Sequence, residues 1–442
     1  MDIQRLIIIL ALCAGLFGTD SPACNAQGNN APMAPSFAGN LPWDARQQYY
    51  EQIPADRGGR DEFESPMDRL FSQAARQSWI QVDYLQWNIG QVSDDLIGAS
   101  VPGVPRPDLG FTINDTTTGA PPLDPSNTEQ TSYVPRLGQI DLNNIPGVKL
   151  TYGLDTNYGS LEANAFWILP GTRSFSPGPY VFGGETIPGN ESTRFLAPII
   201  DVNGVAAIPF NINGAPSNRA LIFDRTFSVL YDSTMFGTEL NFVWDDRKPR
   251  NGFHFRHILG LRYLKLDEKM RIIGTDNQTT TNAAGDEVDY IKSTVIESRA
   301  INQIFGPQVG ARIELVDDRI TLGAQPMFAF AFNHLDARVN TIDLFAADDP
   351  TTIENEATPP TTNSTNQDQF SPVISLALYS KVRATHAMHL YASYDILFLS
   401  GVSRPGDNVD YDQNATVDGF GVAPHETTLF NQGFSVGGVF EF

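Results

Sequence analysis

The stretch VKLTYGLDTNYGSLEANAFWIL, residues 148–169, decides the reading of the fold. Val148, Leu150, Tyr152 and Leu154 alternate with Lys149, Thr151, Gly153 and Asp155. Beyond Asn157 and Tyr158, Leu161, Ala163, Ala165, Trp167 and Leu169 alternate with Ser160, Glu162, Asn164 and Phe166. Successive side chains of an extended chain point to opposite faces, so each run forms a strand with one apolar and one polar face. The short gap between the runs folds them into an antiparallel hairpin.

The same period recurs along the chain. Phe236, Thr238, Leu240, Phe242 and Trp244 oppose Gly237, Glu239 and Asn241. Phe253, Phe255, Leu259, Leu261 and Tyr263 oppose His254, Arg256, Gly260 and Arg262. The pattern predicts strands at residues 79–87, 148–156, 159–169, 235–244, 253–267, 289–315, 319–340, 370–383, 387–400 and 430–442. That is about ten strands, within a range of eight to fourteen when each boundary shifts by a few residues.

Alternation also suits a soluble sandwich, so the connections decide. Those at 157–158, 245–252, 316–318 and 384–386 are short and fall on one side. Those at 88–147, 170–234, 268–288, 341–369 and 401–429 are long and fall on the other. Transmembrane barrels sort their loops in this way, with short periplasmic turns and long outer loops, and a sandwich has no reason to. The fold expected is therefore all-β: an antiparallel transmembrane β-barrel over residues 78–442. Trp79, Trp87, Trp167, Trp244, Tyr263 and Phe398 lie near strand ends, where interfacial aromatic girdles form.

The start of the chain fits export. Arg5 precedes an apolar run at residues 6–17 and a polar stretch ending in Cys24, Asn25 and Ala26, the layout of a signal peptide over residues 1–26. The run is shorter than the roughly 20 residues a spanning helix needs. Both cysteines, Cys13 and Cys24, fall inside it, so the mature chain would hold no disulfide and no thiolate metal site. Residues 27–77 lack strand alternation and read as a flexible periplasmic extension with one short helix capped by Ser65. The formal charge of −22 becomes −21 when Asp2, Asp20 and Arg5 are removed, which disfavours nucleic acid as a partner. Outer-membrane lipid is the expected surrounding.

Five blocks, WIQVDYLQW (79–87), FGTELNF (236–242), ILGLRYLKL (258–266), INQIFGPQVGARIEL (301–315) and SGVSRPGDNVDYDQN (400–414), resemble the beta-barrel protein seven family of bacterial outer-membrane barrels. The resemblance runs from about residue 79 to the C-terminus and implies no assigned activity. At that end Phe434, Val436, Gly438, Phe440 and Phe442 share a face. The spacing of Gly437, Phe440 and Phe442 resembles the signal read by the barrel-assembly machinery, a partner this chain would then use, although Val436 stands where a polar residue is usual.

Residue types for chemistry are scattered. No HExxH, P-loop or dinucleotide fingerprint occurs, and the six histidines do not cluster. Residues Asp407, Asn408, Asp410, Asp412 and Asn414 resemble the start of a calcium loop, but Ala415 replaces the required glycine and no glutamate closes the site. They read as solvated turn residues, so no catalytic, cofactor or metal site is expected. The inward faces are richer. Arg256, Arg262, Arg312 and Lys381 are expected to share the lumen with Glu162, Glu239, Glu314, Asp395, Glu441 and Asp83. Ten strands enclose little more room than eight, whose interior side chains fill them, so these charges should pair and plug the barrel.

The function expected is that of a non-enzymatic barrel serving envelope structure or surface interaction through long loops, its surface ligand unknown. A narrow passive channel and a lipid-acting barrel enzyme are the alternatives.

Overall fold

A computed structural model describes residues 77–442, apart from positions 91, 93–94, 102, 104–110, 115–128, 177–204, 217–219, 224–225, 246–251, 282–284, 286, 345–359 and 414–418. The expected signal peptide, the extension with its helix, and the Asn414–Ala415 end of the acidic loop lie outside the described residues.

Ten long antiparallel staves carry the fold: β1 Ser78–Asn88, β2 Ile145–Thr156, β3 Gly159–Phe175, β4 Thr226–Trp244, β5 Gly252–Thr281, β6 Glu287–Val316, β7 Ile320–Ala329 with Phe332–Ile342, β8 Thr361–Phe370 with Val373–Arg383, β9 Met388–Val402 and β10 Thr427–Glu441. Each pairs with its sequence neighbours. β1 pairs with β10 from Trp79 opposite Glu441 to Asn88 opposite Gln432, which closes the barrel. Closure leaves no open edge in the ring, the condition for backbone to sit in lipid. Among the described residues no helix is long and apolar enough to cross a membrane.

The outward faces carry the apolar series read from the sequence. Val148, Leu150, Leu161, Trp167, Leu259, Leu261, Phe434, Val436 and Phe440 are all exposed. In water so large an apolar surface would be a liability; in a bilayer it is solvated by acyl chains. Two of the tryptophans assigned to the girdle face the other way. Trp87 is buried against Phe166, their rings 5.6 Å apart, and Trp79 packs on the lumen cluster of Tyr379, Tyr391 and Val439. Both share the parity of inward Asp83, so position near a strand end was the weaker signal and alternation the stronger.

A second correction concerns residues 268–288, expected as a long loop. β5 and β6 continue through them, paired from Gly252 opposite Val316 to Thr281 opposite Glu287, and the connection shrinks to residues 282–286. The outward residues on either side of residue 268, Lys265, Asp267, Lys269 and Arg271, break the apolar alternation. A strand beyond the membrane needs no apolar outer face, and cross-strand ion pairs replace it.

The other long connections fold instead of simply coating the surface. Phe111–Asn114, Glu129–Tyr133, Val205–Pro209 and Ala220–Phe223 build a separate four-stranded sheet. Ile97, Leu137, Ile140, Ile208, Phe210, Tyr411 and Phe420 from three connections join inward stave residues Tyr231, Met235, Met270, Ile272 and Ile296 in one buried apolar cluster. Inward faces at the long-loop end thus supply the surface that the connections bury.

Candidate functional site

The lumen has two zones. Nearer the short turns, the alternation of β3 to β6 projects polar residues inward. Glu162 on β3 and Arg312 on β6 meet across two intervening staves, with the guanidinium nitrogens Nη1 and Nη2 donating to both carboxylate oxygens at 2.7 and 2.6 Å. Their side chains are 5% and 11% exposed, which excludes most competing water. Arg312 Nε also donates to Gln325 at 3.0 Å. Planar guanidinium and carboxylate match in two parallel bonds, so this clasp is directional as well as ionic.

Around it the remaining predicted charges fall into smaller groups. Arg262 lies directly opposite Glu239 on the adjacent stave and donates to it at 2.6 Å. It also reaches Ser375 on β8 at 2.8 Å, a second link across the lumen. Glu239 accepts further bonds from Asn241 at 3.0 Å and Gln308 at 3.1 Å. Glu314 accepts from the Tyr379 hydroxyl at 2.7 Å and pairs with Arg256 at 3.4 Å. Lys381 Nζ sits 5.4 Å from the Tyr379 ring centroid. Asp395 accepts from Ser393 at 2.9 Å and from Ser435, whereas Asp83 accepts from Gln81 at 2.7 Å. Glu441 lies apart, at the short-turn end, 3.4 Å from His389. Of the three arginines expected to pair inside the lumen, Arg312 alone among the described residues reaches its carboxylate across it; the partners of Arg262 and Arg256 are on neighbouring staves. Lys149, on the inward face of β2, lines the same space; its parity with Thr151 and Gly153 was visible in the sequence.

The cavity among these groups, bounded by Trp87, Lys149, Phe166, Glu239, Arg262 and Asp395, holds about 80 Å³. That is room for a few waters.

The second zone is the plug, and its key polar pair escaped the sequence reading. Arg404, from the connection between β9 and β10, donates to both oxygens of Glu268 at 2.9 and 2.7 Å and to the Gly90 carbonyl at 2.9 Å. Both residues are almost completely buried. Ser233 adds a bond to Glu268 at 3.0 Å, and the guanidinium carbon lies 5.8 Å from the Tyr231 ring centroid. Arg404 stands within the block SGVSRPGDNVDYDQN, and that isolated basic residue was the available signal.

The acidic loop that follows is correspondingly structural. Both Asp412 oxygens accept the Gly214 N–H, at 3.0 and 2.8 Å, and Asn408, expected in solvent, is fully buried and takes a bond from Ser403. Burial in the plug explains the difference. Asp95, Asp407, His425 and Glu426 line a cavity of about 460 Å³ beside Arg404. Burial and then the nearby Asp95 push the Asp407 carboxyl above its usual range. Burial and then Asp412 do the same to Asp410. Among the described residues no three His, Cys, Asp or Glu side chains are placed to hold a metal.

A closed ten-stave barrel with an apolar outer belt and a packed lumen defines a β-barrel membrane protein of the porin type. The chain belongs to the family described as "Putative beta barrel porin-7 (BBP7)", whose model matches residues 79–442. No curated protein matches it. Among solved structures it is similar to the outer membrane protease OmpT from Escherichia coli, at 9% identity and a TM-score of 0.36, covering 83% of this chain and 97% of that one. It is also similar to a Pseudomonas aeruginosa FadL homologue, at 9% identity and a TM-score of 0.21, covering 83% and 90%. Likeness at this level transfers neither activity nor substrate.

Proposed function

We propose that the protein is exported through a signal peptide at residues 1–26, assembles in the outer membrane, and acts there as a sealed, non-enzymatic barrel. Its role on this reading is envelope structure or surface interaction through the folded long-loop end, with residues 27–77 on the periplasmic side. The observation that carries it is the packed lumen of the described residues: the Arg312–Glu162 clasp in one zone and the plug around Arg404–Glu268 in the other, with a cavity of about 80 Å³ among the polar groups of the first.

Two measurements test it. Purified protein in planar bilayers should be nearly silent; conductance steps of porin size would replace this reading with the channel one. Protease added to whole cells should cut within residues 88–147 or 170–234. Cuts confined to residues 245–251 would invert the topology, and a protein missing from outer-membrane fractions would refute the localisation.

A further inference from the structure

The outer face of the barrel carries a row of three cations beyond the apolar belt. The belt ends there in an aromatic row whose members lie directly opposite one another on four adjacent staves: Tyr263, Phe305, Phe332 and Phe370. Phe305, Phe332 and Phe370 are all more than half exposed. Six residues further along each of the first three staves comes a second row in register, Lys269 opposite Arg299 and Arg299 opposite Arg338.

Three cations side by side on one sheet face repel one another, and like charges directly opposite destabilise a sheet. Nearby acids offset this only in part. Arg299 Nε and Nη2 donate to Asp267 at 3.0 and 2.9 Å, and Glu297 pairs with Lys269 at 2.8 Å and Arg271 at 2.9 Å. Lys265 leans on Asp267 at 3.1 Å, and Asp336, Asp232 directly opposite Lys269, and Asp368 paired with His334 are further acids on this face. The acids balance the face as a whole, but the row itself sets three cations side by side, and among the described residues Arg338 at its end has no ion pair. The paired acids also hold the long side chains upright on a rigid sheet, which lowers the entropy lost on binding an anion.

Height identifies the anion. Six residues rise about 20 Å along a strand, or about 15 Å along the membrane normal at a tilt of about 40°. A headgroup layer adds only roughly 5–7 Å to each side of the hydrocarbon core. Lys265, two residues beyond Tyr263, stands at that level, but the row of Lys269, Arg299 and Arg338 stands above it. A simple glycerophosphate headgroup touches the lower edge of the site; a phosphorylated saccharide headgroup reaches all of it.

We propose that the outer face of β5, β6 and β7 binds a phosphorylated glycolipid of the surrounding leaflet, through Lys269, Arg299 and Arg338 with Lys265 at its lower edge. The inference rests on the proposed membrane insertion. It is tested by reconstituting the full chain into vesicles of phosphatidylcholine alone, of phosphatidylcholine with phosphatidylglycerol, and of phosphatidylcholine with core-bearing lipopolysaccharide, and following thermal unfolding by the heat-dependent gel shift.

Wild type should be most stable with lipopolysaccharide, and the gain should shrink as salt rises. The triple variant K269Q/R299Q/R338Q should lose the gain, with glycolipid binding roughly fivefold weaker for each charge removed. The charge-preserving variant K269R/R299K/R338K should retain it, which separates charge from misfolding. Equal gains in wild type and the neutralised variant, equal stability in all three vesicles, an equal gain from phosphatidylglycerol, or the same gain from inorganic phosphate in detergent would each overturn the proposal. Failure to insert into any vesicle would instead refute the outer-membrane reading beneath it.

Discussion

Replacing Arg312 with alanine tests the sealed lumen directly. The guanidinium makes two bonds of 2.7 and 2.6 Å to Glu162, and both side chains are shielded from bulk water. Removing it strands a carboxylate that no other described side chain bonds so closely. Breaking one partner of a buried pair typically costs about 3–5 kcal/mol, because the remaining charge keeps its desolvation penalty without compensation. Removing both partners leaves no stranded charge, so Arg312→Ala with Glu162→Ala should recover much of that loss, a strongly non-additive cycle. Unfolding in denaturant, read by the gel shift, gives the stabilities. The volume vacated beside the existing cavity of about 80 Å³, now lined by a lone carboxylate, should also admit water and cations. In planar bilayers the single variant should leak with cation preference while wild type is quiet. A single variant as stable and as tight as its parent, or additive costs in the cycle, would show that this clasp does not hold the lumen shut.

Arg404→Lys keeps the charge in the plug but loses the two-pronged match to Glu268; we expect a loss of about 2–4 kcal/mol and new protease cleavage in residues 403–426, and unchanged cleavage would show that the plug does not depend on it. Acid should loosen the β5–β6 extension: burial raises the Asp267 and Glu297 carboxyls, but bonds from Arg299 and Lys265, and from Lys269 and Arg271, outweigh it and hold them below their ordinary 3.8 and 4.5. Depressed folded values mean that this stability is complete above the ordinary values and is lost as pH falls through the folded ones, so amide exchange around residues 265–271 and 297–301 should rise at about pH 3 relative to about pH 7, and flat protection would refute it. Gly437→Val should disrupt closure, because a Cβ at Gly437 would lie 2.1 Å from the Val82 carbonyl oxygen on β1; overpacking of this kind costs about 1–3 kcal/mol, and an unaltered gel shift would contradict the seam geometry. Deleting Phe442, whose ring is exposed, should lower membrane yield with little effect on the unfolding midpoint, and normal accumulation would mean that it is no assembly signal.

Alternation along residues 148–169 and its counterparts was enough to predict an all-β chain, about ten staves, the sorting of short and long connections, and the inward parity of Glu162, Glu239, Arg262 and Arg312. These properties follow from the period of two in an extended backbone, which is local. Where a strand leaves the bilayer the pattern changes, because water relaxes the demand for an apolar outer face; residues 268–288 looked like loop for that reason. Which inward charges meet was beyond any local rule. Arg312 lies 150 residues from Glu162, and Arg404 lies 136 from Glu268. Ring closure makes the first pair neighbours, and inward folding of the connections makes the second. The same folding turned apolar residues such as Ile208, Phe210 and Phe420, unremarked in long loops, into the packed interior. Sequence determined which residues face inward, since that is set residue by residue; tertiary structure alone decided what they meet there, since that depends on the register of all ten staves and on where the connections find apolar surface to bury.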